Sequence, residues 1–157
     1  MTVLDTVLTI TPKDDKTNVA VPFTLAQDAD RLEITCEFTP KEIGDEALAR
    51  QAALANIGRY VPRNQLPLYK EQLAGGLTLV NHLTLSLDQG ENYLGCAHRH
   101  APRQTHLISQ AHSSPGFKRC RPAAGSYRAV INVHSITSPQ VRYHLVVRAY
   151  REGEKDV

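Results

Sequence analysis

The sequence predicts a mostly β protein, a two-sheet antiparallel sandwich of jelly-roll or immunoglobulin-like type, with a helical insertion at about residues 42–73. Three observations predict it. Apolar side chains recur at every second position in several short runs, the period of a strand with one face in a core and one in water. Turn residues separate these runs at the spacing typical of all-β domains. A single stretch breaks the rhythm, and it is rich in Ala and Leu at helical spacing.

Val3–Thr11 is the first expected strand, closed by Pro12 and the charged turn Lys13-Asp14-Asp15-Lys16. Asn18–Leu25 follows, and its Pro22 argues for a sheet edge, because proline donates no hydrogen bond to a ladder. Arg31–Thr39 alternates most cleanly, with Leu32, Ile34, Cys36 and Phe38 on the inner face, until Pro40 ends it. Glu42–Tyr60 reads as a helix, with Asp45 and Glu46 at its start and Gly58 placed for a left-handed cap. Leu68–Leu73 adds a short helical turn. Lys41–Gly76 is therefore expected to be an insertion capping one end of the sandwich, its apolar stripe also suiting a second subunit or a partner. Strands resume at Leu77–Leu87, Asn92–His98, Thr105–His112, Ser126–His134 and Val141–Tyr150, and the charged tail from Arg151 to Val157 is expected to fray. All 157 residues then form one domain, large enough to bury a core without disulfides or metal.

Bulk composition narrows the function classes. The net charge of +2 comes from 18 basic and 16 acidic residues in scattered positions, which does not make a nucleic-acid footprint. No apolar run has the length of a membrane helix or a signal peptide. Three widely spaced cysteines suit free thiols in the cytoplasm better than a disulfide scaffold. No cofactor is called for.

The residues that carry chemistry cluster in the second half. His98 and His100, on one face of a strand about 7 Å apart, are candidate metal ligands together with His106 and His112. The chain offers no acidic residue between Asn92 and Arg151, and hydrolytic metal sites usually recruit one. The same acid-free run makes Arg99, Arg103, Lys118, Arg119 and Arg121 candidates for binding an anion or an acidic partner. Cys120 stands between Arg119 and Arg121, and neighbouring cations lower a thiol pKa. Ser113-Ser114-Pro115-Gly116 lacks a nucleophile elbow and reads as a turn, with Gly116 at positive φ. With no Trp, a sugar-stacking surface would fall to Tyr60, Tyr69 or Tyr93, since Tyr127 and Tyr143 lie in core registers. No residue is assigned a catalytic role.

Several motifs carry a family resemblance: Asn81-His82-Leu83-Thr84-Leu85-Ser86-Leu87-Asp88, Gly95, His98-Arg99, Ile108-Ser109, Ser114-Pro115-Gly116 and Gly125-Ser126-Tyr127. Their order resembles the β-sandwich that precedes the catalytic domain in bacterial PHP-type metal-dependent hydrolases of the CehA/McbA group. A weaker similarity is to pre-peptidase C-terminal sandwiches and other carbohydrate-binding-like modules. The resemblance implies a sandwich and an accessory role, and it brings no catalytic residues. The expectation is a non-catalytic module that binds a protein partner, another copy of itself, or a small molecule or carbohydrate. The alternative is a metal-dependent hydrolase-like protein using the histidines.

Overall fold

The computed structural model describes residues 1–72 and 79–151, and the statements below concern those residues. The eight long strands are β1 (Thr2–Ile10), β2 (Asn18–Leu25), β3 (Arg31–Thr39), β6 (His82–Gln89), β7 (Asn92–Ala97), β8 (Arg103–Ser109), β9 (Gly125–Ser135) and β10 (Val141–Tyr150). They form two sheets, ordered β1-β10-β3-β8 and β2-β9-β6-β7, with every pairing antiparallel.

That order is a jelly roll. The ladders β1·β10, β2·β9, β3·β8 and β6·β7 are the rungs of one long antiparallel ribbon, folded at the β6–β7 hairpin. Rolling the ribbon brings β10 against β3 and β9 against β6, which closes the sheets over a common core. Pro22 sits in an edge strand, as its missing N–H requires.

Alternation decides what fills the core. Leu32, Ile34, Cys36 and Phe38 from β3 meet Leu83, Leu85 and Leu87 from β6, with Tyr127, Ile131, Tyr143 and Leu145 from the last two strands. Phe23 stacks on Tyr127 and Phe38 on Tyr143, with ring centroids 5.1 and 6.1 Å apart. The phenol of Tyr127 escapes the apolar interior by donating to the Ala123 carbonyl at 2.8 Å.

The insertion is more broken than its periodicity predicts. Glu42–Ile43 is a short strand, β4, paired with β5 (Leu79–Val80). The first helix, α1, covers Glu46–Asn56, and Asp45 caps it by accepting from the Leu48 N–H at 2.9 Å. Gly58 does not take the expected left-handed conformation, because the helix tightens into a 3-10 turn at Ile57–Arg59 and needs no such cap. A second helix, α2, runs Leu66–Gln72, while the expected joint Gly75-Gly76 falls outside the described residues.

Two buried polar side chains fasten the insertion to the end of the sandwich. Asn81 is fully buried: its amide donates to the Pro40 carbonyl (2.9 Å) and Ser138 hydroxyl (2.6 Å), and its oxygen accepts from the N–H groups of Thr137 and Ser138. Asp15 belongs to an outwardly charged turn, yet its carboxylate is buried. It accepts from the Ile136 N–H at 2.9 Å and the Tyr60 hydroxyl at 2.5 Å, with Arg59 at 3.8 Å.

Candidate functional site

The outward positions of the second sheet carry Asn18 from β2, Asn132 and His134 from β9, Thr84, Ser86 and Asp88 from β6, and Tyr93 and Cys96 from β7. With His98 they line a cleft of about 450 Å³. Thr84, Ser86 and Cys96 form its floor and are buried although they point away from the core.

Two glycines shape the β7 wall. Gly95 (φ 134°) and Gly116 (φ 97°) let β7 approach the segment after Pro115, where the Cys96 N–H donates to the Gly116 carbonyl at 3.0 Å and the Lys118 N–H to Leu94 at 2.8 Å. A Cβ at Gly95 would lie 2.1 Å from the Gly116 carbonyl oxygen, and one at Gly116 equally close to the carbonyl oxygen of Cys96. The Ser-Pro-Gly turn therefore packs against β7, which sets Tyr93 and Cys96 in the cleft. Ser114 completes the turn by accepting from the Leu107 N–H at 2.9 Å.

Across the floor the side chains bond to one another without charge. The Asn132 amide donates to the Asn18 oxygen at 3.0 Å, and the Thr84 hydroxyl lies 3.3 Å from the Asn132 oxygen and 2.9 Å from His134 Nε2. The Cys96 thiol reaches Asn132 at 3.6 Å. Hydroxyls and amides have more donors and acceptors than this lattice uses, so the floor keeps capacity for a polar ligand. At one end Asp88 pairs with Arg128 at 3.2 Å. At the other, His82 is sandwiched between His100 and His134, with ring centroids 4.4 and 4.6 Å away. Burial holds its pKa below the usual imidazole value, and repulsion from His134, His100, Lys41 and His98 adds to this.

The four expected metal candidates part company. His98 lines the cleft, and His100 stacks on His82. His106 points the other way, into the core from β8, at 1% exposure. Its Nε2 lies 3.0 Å from the Gln104 oxygen, Nδ1 has no partner, and burial pushes its pKa down to about 4. His112 sits in the turn after β8, where its backbone bonds Ser109. Among the described residues no three His, Cys, Asp or Glu side chains form a metal-binding group. Stacking explains this for the histidine trio, since parallel rings aim their lone pairs side by side instead of at one point.

The basic candidates do not converge either. Arg103 pairs with Glu37 at 3.9 Å and Arg121 with Asp30 at 3.3 Å, so acids from β3 and the chain just before it face the acid-free run. Lys118 and Arg119 are exposed beside the turn, and Arg99 follows β7 next to the cleft. Cys120 does not have the lowered pKa its neighbours suggest, because burial raises it against the weaker pull of Lys118. Tyr60, Tyr69 and Tyr93 are all substantially exposed, and Tyr93 is the one that lines the cleft.

Sequence reasoning missed Thr84, Asn132, His82 and His134. Their signal was available, since each alternates with a core residue on a strand already recognised. A second cavity, of about 270 Å³, lies beneath the insertion between α1, Tyr69 and Ile136. It is walled largely by aliphatic groups such as Ala52, Ile57 and Leu79, and Leu79 directly follows the undescribed 73–78. No family model, no curated protein and no solved structure matches the chain. Among the described residues, no helix is long and apolar enough to cross a membrane.

Proposed function

We propose that this protein is a non-catalytic binding module whose ligand site is the outer face of the β2-β9-β6-β7 sheet, and that the ligand is small, polar and rich in hydroxyl groups, as a carbohydrate is. The uncharged lattice of Asn18, Asn132, Thr84 and His134 carries the reading. It is held in place by its own hydrogen bonds before any ligand arrives, which reduces the ordering cost of binding. Tyr93, at 51% exposure, offers an aromatic face beside it for stacking on a sugar ring. Protein partners and self-association belong to the same accessory role and would use the exposed apolar residues of the insertion, Leu48, Leu54 and Leu68. An accessory place beside a metal-dependent hydrolase, as the resemblance implies, is part of the reading. The free thiols of Cys36, Cys96 and Cys120 support a reducing, cytoplasmic setting.

A glycan and polyol array followed by titration calorimetry tests the site. Binding that weakens at least about tenfold in Asn132→Ala and in Tyr93→Ala, at unchanged melting temperature, supports it. A ligand that ignores both substitutions but is lost in Tyr69→Ala would move the site to the insertion and overturn the reading.

A further inference from the structure

The cleft has two unlike ends. Asp88 and Arg128 neutralise each other at one. At the other, His98 and His134 line the cleft, His82 stacks on His134, His100 stacks on His82, and Lys41 acts on His82, all of them groups that are neutral or cationic. They come from different parts of the fold: His82 opens β6, His134 nearly ends β9, His98 and His100 follow β7, and Lys41 lies between β3 and β4. Lys41 is itself anchored, donating to the Asn81 carbonyl at 3.0 Å. Among the described residues, Glu42, exposed and next to Lys41, acts on Lys41, whereas the charges acting on His82 are positive. Asp88 is six residues along β6 from His82, about 20 Å away at the rise of an extended strand.

We infer that the histidine end of the cleft is an oxyanion subsite, so that the ligand is a hydroxyl-rich molecule bearing a carboxylate or phosphate. This deepens the proposed binding role and rests on it for the hydroxyl-rich half of the ligand. Neutral imidazoles stack without repulsion, and the rings lie 4.4 and 4.6 Å apart. An anion beside them supplies the counter-charge that the protein withholds, favouring protonated rings and their charge-assisted hydrogen bonds. Binding then takes up protons, so affinity rises as pH falls through the imidazole range and is lost as pH rises above it.

The test pairs calorimetry with NMR of the histidine ring signals, using glucose, glucuronate, glucose 6-phosphate and inorganic phosphate at pH 7.5 and 5.5. Glucuronate stays ionised at both values, so its pH dependence reports the protein. The expected result is glucuronate or glucose 6-phosphate binding about tenfold tighter at pH 5.5 than at 7.5, with that gain abolished in a His100→Gln, His134→Gln double variant. The two sugars distinguish a carboxylate from a phosphate ligand. Anionic sugars that bind no better than glucose at pH 5.5, or whose gain survives in the double variant, overturn the subsite. If glucose perturbs Thr84 and Asn132 in that case, the binding role stands without it. If inorganic phosphate shifts the histidines while glucose leaves Thr84 and Asn132 unmoved, the subsite stands and the hydroxyl-rich reading fails. The exposed positions of His100 and His134 keep the fold out of the outcome, and an unchanged amide spectrum verifies it.

Discussion

The two sheets share a core, but their outer faces are built on different principles. On the first, each junction between neighbouring strands is spanned by a pair that includes a carboxylate: Asp5 with His144, Glu33 with Arg148, and Glu37 with Arg103, while Thr35 meets Thr105 at 3.3 Å beside the last of these. The charges of these pairs are matched locally, so the pairs themselves offer little to a ligand. On the second sheet one ion pair, Asp88 with Arg128, spans β6 and β9, and the other links are amide, hydroxyl, imidazole and thiol contacts: Asn18 to Asn132, Thr84 to His134, and the Cys96 thiol to Thr84 at 3.9 Å. Ion pairs consume their partners' capacity, whereas amides and hydroxyls retain some. The difference teaches that an outer face can be polar for solubility or polar for recognition, and that the kind of polar group tells which.

The sharpest way to break this contrast is to deform the second face. Gly95→Ala puts a Cβ into the Gly116 carbonyl and demands a positive φ from alanine. A loss of about 4 kcal/mol or outright misfolding is expected in urea titration, because backbone must move on both sides. A stability change under about 1 kcal/mol would show that the β7 wall is pliable.

Asn81→Ala comes next, at about 3 kcal/mol, since it strands the buried Ser138 N–H and the part-buried Thr137 N–H that now share one oxygen. Hydrogen exchange should accelerate in the insertion and around His82, with little change in β1 and β3. Uniform acceleration would mean the insertion and sandwich unfold as one unit.

His106 provides a pH test of comparable or slightly smaller size. Its folded pKa of about 4 lies below the unfolded value near 6.5. Above about pH 6.5 the histidine is neutral in both the folded and unfolded states and adds no pH dependence. Stability falls as pH drops from there toward 4, by about 2–3 kcal/mol in total. In His106→Leu that part of the acid limb should disappear in melts between pH 7 and 4. His82, also depressed, acts in the same direction, so some acid sensitivity remains until an oxyanion is added.

The smallest effect belongs to the first face. Arg148→Gln breaks a 3.7 Å pair with Glu33 between partly exposed side chains and should cost no more than about 0.5 kcal/mol, shrinking further in salt. The cleft ligand should bind this variant as it binds wild type. Loss of binding there would mean that the two faces are not independent.

Much of the fold could be read from the residues alone, because alternation is a local property. The inward positions of β3, β9 and β10 follow from a period of two, and Asn18–Leu25, Arg31–Thr39 and Val141–Tyr150 begin and end where turn chemistry indicates. Reading Leu77–Leu87 as one strand failed at Asn81, where a buried amide interrupts the alternation to bind the root of the insertion. The site was half legible. His98 was found through a His-x-His pattern, whereas Thr84 and Asn132 were passed over as ordinary outward residues.

The sequence by itself determined the β class, the insertion, the core registers and the outward polarity of each strand, all set by neighbours within a few positions. Only tertiary structure decided that β9 and β10, adjacent in the chain, join different sheets, and hence which outward residues share a cleft. It also decided the electrostatics. The acid-free stretch after Asn92 looks like a basic surface along the chain, yet Asp30, Glu33 and Glu37 meet its cations across strands. Charge acts through space, and a rolled ribbon brings together residues that the order of the chain keeps far apart.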